Sequence, residues 1–187
     1  ESTMALAREA MDAATESRNP EIILHSTFML GFYHLWRREL EPAKTVLEQG
    51  LRLAERIGHA EGTVLCLSYL TVADRIRGDI AAVTIGVERS LSAATASKAT
   101  AYVALAQAGE AWLAWRRGDL AATREHGRSA MTGWGTLSFP ARCFALWPLA
   151  GADRAEDRIG DAVAHVAAML ASDQMRFPLE LESNMEA

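Results

Sequence analysis

A short corner motif recurs along the chain at a nearly constant interval, and this repetition restricts the fold more than any other feature of the sequence. The motif ends one segment with arginine, continues with an acidic residue (after glycine in its clearest copies), and opens the next segment with an aliphatic residue. Its copies are Arg37-Arg38-Glu39-Leu40, Arg77-Gly78-Asp79-Ile80, Arg117-Gly118-Asp119-Leu120 and the weaker Ile159-Gly160-Asp161-Ala162. Their last residues lie 40, 40 and 42 positions apart. A fixed period of this size indicates a helical-repeat architecture.

The residues of the motif are suited to ending one helix and starting the next. Arginine in a last turn complements the negative end of the helix dipole. Gly78 and Gly118 can adopt the left-handed conformation that ends a helix without a steric penalty from a Cβ atom. Asp79 and Asp119 are then placed to cap the first turn of the following helix. The motif therefore predicts a tight corner between two antiparallel helices.

Apolar residues recur at helical spacing along the chain, and no stretch alternates as a half-buried strand does. The sequence predicts an all-α fold of about nine helices in roughly four hairpins, in a single domain over residues 1–187. Because Pro148 lies inside the apolar segment that begins near Phe139, we expect that helix to kink or break. A further element is expected to begin near Phe177. The residues that close the corner motif are expected to be buried at the start of a second helix: Leu40, Ile80 and Leu120.

Charge and apolar runs narrow the classes of partner. The formal net charge is −5 and the isoelectric point is about 5.6, which disfavours nucleic acid because nucleic-acid-binding surfaces are basic. No uninterrupted apolar run reaches the roughly 18 residues of a membrane span, and polar residues interrupt any leader peptide at the start. Two cysteines are too few for a disulfide framework. We therefore expect a cytoplasmic protein that binds neither nucleic acid nor membrane.

No group of residues has the spacing that catalysis or metal binding requires. None of the five histidines lies four residues from another, and neither a phosphate-binding loop nor a Gly-x-Ser-x-Gly turn is present. Cys66 and Cys143 lie among apolar residues and are expected to be buried. We therefore predict no catalytic residue, no metal and no cofactor.

Three segments carry a resemblance to a known group of proteins: WRRGDLAATREHGRSAMTGW (115–134), ALWPLAGA (145–152) and LASDQMRFPLELE (170–182). They resemble the C-terminal helical-repeat region of large bacterial signalling proteins, in which a cyclase or transcriptional-regulator domain is combined with an AAA-type ATPase. Small residues at expected helix crossings, such as Gly31, Ala43 and Ala111, are similar to those of the tetratricopeptide superfamily. The period is about six residues longer than the roughly 34 of that superfamily, and its full W-x2-L-G-x2-Y signature is absent.

The resemblance implies a right-handed array of antiparallel, tetratricopeptide-like hairpins within a longer bacterial chain, an origin that the arginine-rich and alanine-rich composition also favours. It implies a non-enzymatic module that binds a protein, a peptide, a small effector or other domains of the same chain. A purely structural scaffold between domains is the first alternative, and a helical enzyme without a visible motif is the second.

Aromatic and arginine residues on the first helix of each hairpin are the candidate binding residues, because these helices line the inner surface of stacked hairpins. Tryptophan and arginine are also enriched in binding hot spots. The candidates are Phe28, Phe32, Trp36, Arg75, Trp112, Trp115 and Arg116. We expect at least one of Trp112 and Trp115 to be partly exposed near Arg75 or Arg116. The alternatives are that both tryptophans are core residues and that the recurring arginines are helix-end charges.

The two ends of the chain carry apolar residues that neighbouring repeats would cover. They are Met4, Leu6 and Met11 at one end and Phe177, Leu179 and Leu181 at the other. An internal array without capping units exposes such faces. We therefore expect self-association, as a homodimer, through a terminal helix.

Overall fold

The computed structural model describes residues 3–135, 137 and 139–174. Within these residues the chain forms nine helices and no strand, which confirms the all-α prediction. The helices are α1 (Thr3–Ser17), α2 (Pro20–Trp36), α3 (Leu40–Ile57), α4 (Ala60–Arg77), α5 (Ile80–Ala96), α6 (Thr100–Arg116), α7 (Leu120–Trp134), α8 (Cys143–Ala155) and α9 (Ile159–Met169). The element expected near Phe177 lies outside the described residues.

The helices from α2 to α7 begin at intervals of 20 residues, and each follows a turn of the same kind. The residue two positions before each start is left-handed: Arg18, Arg38, Gly58, Gly78, Lys98 and Gly118 have φ between 52° and 78°. In five of these six turns, all except the one at Arg18, the next backbone N–H donates to a carbonyl five residues back, as from Asp79 to Asp74 and from Asp119 to Ala114, both at 3.0 Å. This bond is the mark of the Schellman motif that ends helices.

Side-chain caps start several of these helices. The Asp79 and Asp119 carboxylates accept from the backbone N–H of Ala82 (3.0 Å) and Ala122 (2.9 Å), which confirms their predicted role. His59 caps α4 in the same way, with Nδ1 accepting from the Gly62 N–H at 3.0 Å. These bonds satisfy donors that the first turn of a helix leaves without a partner.

The prediction that Leu40, Ile80 and Leu120 are buried was wrong. Each begins a helix, but Leu40 and Leu120 are half-buried and Ile80 is 37% exposed. The first residue of each helix directly follows the corner, and the first buried residue of the helix comes about one turn later. The buried positions of α3, α5 and α7 recur at the same register: Ala43, Leu47, Gly50 and Ala54; Val83, Val87, Ser90 and Ala94; Thr123, Gly127, Ala130 and Trp134.

Of the kink or break predicted at Pro148, the break was wrong, because α8 continues through Pro148 to Ala155. Pro148 removes one helical donor, yet buried apolar residues on both sides, including Leu146 and Leu149, hold the two halves in the core. Tertiary packing therefore outweighs the local penalty of proline.

The packing divides the chain into two compact units, Glu1–Ala82 and Val83–Ala187. Each unit has close helix contacts that need small residues. A Cβ atom on Gly31 would lie 2.8 Å from Leu47 in the first unit, and one on Gly127 would lie 2.7 Å from Leu149 in the second. Among the described residues, no helix is both long enough and apolar enough to cross a membrane.

Candidate functional site

The predicted binding residues fall into two groups, one in each unit. Phe28, Phe32 and Trp36 lie on α2 and Arg75 lies partly buried near the end of α4, all in the first unit. The other three, Trp112, Trp115 and Arg116, lie in the last turns of α6 in the second unit.

In the first unit the aromatic candidates pack against one another and against Tyr69. Phe32 and Trp36 are stacked, with ring centroids 5.1 Å apart and an interplanar angle of 14°. Tyr69 of α4 meets Phe28 and Phe32 edge-on at 5.4 and 5.2 Å. Phe28 and Tyr69 are buried, whereas Phe32 and Trp36 are half-buried. We call these four residues the aromatic cluster.

A small polar group follows the aromatic cluster at the corner after α2. The Glu39 carboxylate accepts from Arg37 Nε at 2.9 Å and lies 2.6 Å from His34 Nδ1. The hydrogen bond from Arg37, and then that from His34, lower the pKa of Glu39. Because its side chain serves this group, Glu39 does not cap α3.

In the second unit Trp112 is buried and Arg116 lies over it. Trp112 forms an apolar core with Leu113, Val83 and Val87. The guanidinium carbon of Arg116 is 5.6 Å from the centroid of the Trp112 ring, which is cation–π distance. Arg116 is exposed and makes no ion pair with any described residue.

Trp115 packs against the same core but keeps part of its ring in solvent, and it contacts α8 at a glycine. A Cβ atom on Gly151 would lie 2.5 Å from Trp115 Nε1, so the indole lies directly on the α8 backbone. Trp147 lies one turn before Gly151 on the same face of α8 and is 44% exposed. Arg154, three residues after Gly151, is also exposed.

Trp115 contacts α8 at Gly151, and Trp147 and Arg154 lie one turn before and one turn after that glycine on the same face of α8. Arg116 directly follows Trp115 in α6. We call Trp115, Arg116, Trp147 and Arg154 the tryptophan–arginine surface. Trp147 and Arg154 were not among the predicted residues, because a break at Pro148 would have placed them on separate helices. A usable signal was present in the spacing of Trp147, Gly151 and Arg154, because residues four and three positions apart share one face of a continuous helix.

A buried carboxylate ties α7, α8 and α9 together in the second unit. Asp153 accepts from Arg158 and from Arg124 Nε (3.4 Å), and His165 Nε2 lies 3.2 Å away. Glu156 pairs with the same two arginines, at 2.6 Å from Arg124 NH2. We call these five residues the charge network.

Three members of the charge network, Asp153, Glu156 and Arg158, have shifted pKa values. Burial raises the pKa of Asp153, but the hydrogen bond and charge of Arg158, helped by Arg124 and His165, outweigh burial and leave the pKa below its ordinary value. Hydrogen bonds from Arg158 and Arg124 lower the pKa of Glu156. Bonds to Asp153 and Glu156 raise the pKa of Arg158. Asp153, Glu156 and Arg158 therefore stay charged and paired near neutral pH.

Both cysteines are buried, as the sequence predicted, and they form no disulfide with each other. Burial raises the pKa of Cys66 to about 12, which keeps it a thiol. In the part of the chain that the structure describes, no group of three His, Cys, Asp or Glu side chains is arranged to hold a metal ion.

Comparison with protein-family models and with curated protein sequences finds no match for this chain. The tryptophan–arginine surface is therefore interpreted by its chemistry. Its indoles offer contact area, and its guanidinium groups offer directional donors to carboxylates or backbone carbonyls.

Proposed function

We propose that the chain is a non-enzymatic helical-repeat module that binds a protein or peptide, or another domain of its own chain. On this proposal it belongs to a bacterial multidomain signalling or regulatory protein. The helix starts at 20-residue intervals, the recurring Schellman turns and the matching buried positions of α3, α5 and α7 support a right-handed, tetratricopeptide-like array with a period of about 40 residues.

The observation that carries the proposal is the exposure of large aromatic side chains at the tryptophan–arginine surface. Trp147 is 44% exposed and Trp115 is half-buried, and both adjoin the contact at Gly151. An indole in water gains much from being covered, so such rings are frequent anchors of binding surfaces. Arginine beside them adds directional hydrogen bonds.

The aromatic cluster favours the alternative of a structural scaffold for the first unit. Phe28 and Tyr69 are buried, and Phe32 stacks on Trp36 within the same cluster. A scaffold needs only such self-contained packing. Substitutions in the tryptophan–arginine surface and in the aromatic cluster therefore distinguish a binding module from a scaffold. Binding should depend on Trp147 and should not depend on Trp36.

Selection of random peptides displayed on phage, with the chain immobilised, tests the proposal. We expect specific peptides to be enriched and their affinity to fall about tenfold or more in Trp147→Ala, the loss typical of a hot-spot residue. Trp36→Leu serves as the matched control and should bind as the wild type does. If no peptide is enriched, or if only Trp36→Leu weakens binding, the scaffold alternative is favoured.

A further inference from the structure

We infer that the ligand of the tryptophan–arginine surface is an acidic peptide segment whose carboxylates lie next to an apolar or aromatic side chain. This inference rests on the proposed function and adds the chemical class of the partner. The inference comes from a difference in ion pairing between the arginines of the charge network and those of the tryptophan–arginine surface.

The arginines of the charge network are already paired with carboxylates. Arg124 bonds to Asp153 and Glu156, and Arg158 bonds to the same two acids. Arg116 and Arg154 are exposed and form no ion pair within the described residues. The surface thus presents two positive charges on a chain whose net charge is −5. Charge complementarity favours a carboxylate ligand there.

The guanidinium group of Arg116 is held in a position suited to such a ligand. Its guanidinium carbon lies 5.6 Å from the centroid of the Trp112 ring, a cation–π distance that favours this placement of the group. Trp112 is only 5% exposed, so the ring beneath Arg116 is fixed by the core. A positioned guanidinium loses less conformational entropy when it binds a carboxylate.

The apolar part of the ligand would meet the two indoles. Trp115 is fixed between its core and the Gly151 backbone, and Trp147 lies one turn from Gly151. Arg116 directly follows Trp115, and Arg154 lies one turn beyond Gly151. An apolar side chain covering the indoles therefore brings carboxylates on neighbouring peptide residues near both guanidinium groups.

The sequences of the enriched peptides provide the test. We expect them to contain aspartate and glutamate in excess of the starting library, beside an apolar or aromatic residue. A synthetic copy of one such peptide should bind the double variant Arg116→Gln/Arg154→Gln at least about tenfold more weakly. Changing its acidic residues to their amides should cause a similar loss. Arg56→Gln, an exposed arginine of α3 in the first unit, is the control and should leave affinity unchanged.

Two results would overturn the inference while leaving the proposed function in place. One is enrichment of peptides without an excess of acidic residues, and the other is equal affinity for the double variant and the wild type. Failure to enrich any peptide would overturn both. A circular dichroism spectrum of the double variant that matches the wild type excludes misfolding as the cause of a loss.

Discussion

Helices α2 and α6 differ in the residues that occupy equivalent positions near their C-terminal ends. Both contain 17 residues, and their starting residues lie 80 positions apart. In α2 the pair Phe32 and Trp36 forms an aromatic stack, with centroids 5.1 Å apart. Eighty residues later the pair is Trp112 and Arg116, and a guanidinium group replaces the second ring. The same spacing of four residues thus closes an apolar cluster in one unit and leaves an exposed charge in the other.

The residue just before Trp36 and its equivalent before Arg116 also differ in exposure. Leu35 of α2 is 1% exposed and belongs to the core. Trp115, 80 residues later, is half-buried and reaches the backbone of α8 at Gly151. Repeated helices can therefore keep the same corners and buried positions, while α6 differs from α2 by a half-buried tryptophan in place of Leu35 and an exposed arginine in place of Trp36.

The largest effect is expected in the aromatic cluster. Phe28→Ala should lower the free energy of unfolding by about 3–5 kcal/mol, because it removes a buried ring and leaves a cavity. Urea unfolding followed by circular dichroism measures this change. Ile22→Ala on the same helix is the control, since Ile22 is 47% exposed. A loss no greater than that of the control would mean that the cluster is not core.

The charge network should give the next effect. Asp153→Asn should cost roughly 2 kcal/mol, because hydrogen bonds to charged groups are stronger than neutral ones. Asp173→Asn changes an exposed carboxylate and should shift stability by less than about 0.5 kcal/mol. Equal unfolding curves for the two variants would contradict a stabilising role for Asp153.

The contribution of Asp153 should also depend on pH. Its pKa is lowered in the folded chain, so its stabilising effect is complete above the ordinary carboxyl pKa of about 4. The effect is lost as the pH falls through the lowered folded-state pKa. The difference in unfolding free energy between wild type and Asp153→Asn should therefore shrink on acidification from about pH 7 to about pH 3. A difference that stays constant would argue against this linkage.

The contact between α6 and α8 can be tested at its glycine. Gly151→Ala places a methyl group against the Trp115 indole and should cost about 1–3 kcal/mol, as overpacking does. Gly160→Ala in α9 meets nothing within 4 Å and should be neutral or stabilising by up to about 1 kcal/mol. If the two variants change the free energy of unfolding equally, the packing of Trp115 on Gly151 does not contribute to stability.

The smallest effect on stability is expected at Arg116, whose equivalent in α2 is Trp36. Arg116→Trp gives α6 the aromatic pair of α2, and the free energy of unfolding should change by less than about 1 kcal/mol. Binding of the acidic peptide should nevertheless fall. Trp36→Arg makes the reciprocal change in α2 and should leave peptide binding unaltered. Titrations followed by fluorescence anisotropy of a labelled peptide compare the two variants.

The sequence predicted the class of fold well because local chemistry determines the corners. Gly78, Gly118, Asp79 and Asp119 form the expected turns and caps. The buried register was wrong by one turn, since a corner motif ends before the inward stripe of the next helix begins. Val83, which is fully buried, rather than Ile80 starts that stripe in α5.

The candidate surface was only partly predictable. The period of the motif pointed to Trp115 and Arg116 in α6, which is a local pattern. Trp147 and Arg154 depend on the continuation of α8 through Pro148, and only tertiary packing explains that continuation. Tyr69 was missed for the same reason, because its role arises from contacts with α2 that are about 40 residues distant in sequence.

The exposure of individual tryptophans tests the central claim most directly. Variants that retain one of Trp36, Trp115 or Trp147, with the other tryptophans replaced by phenylalanine, allow acrylamide quenching to be measured for each ring. We predict that Trp147 is quenched most strongly, and that the enriched acidic peptide protects Trp147 and Trp115 while quenching of Trp36 stays unchanged. Protection of Trp36, with Trp115 and Trp147 quenched equally in the presence and absence of the peptide, would contradict the assignment of binding to the tryptophan–arginine surface.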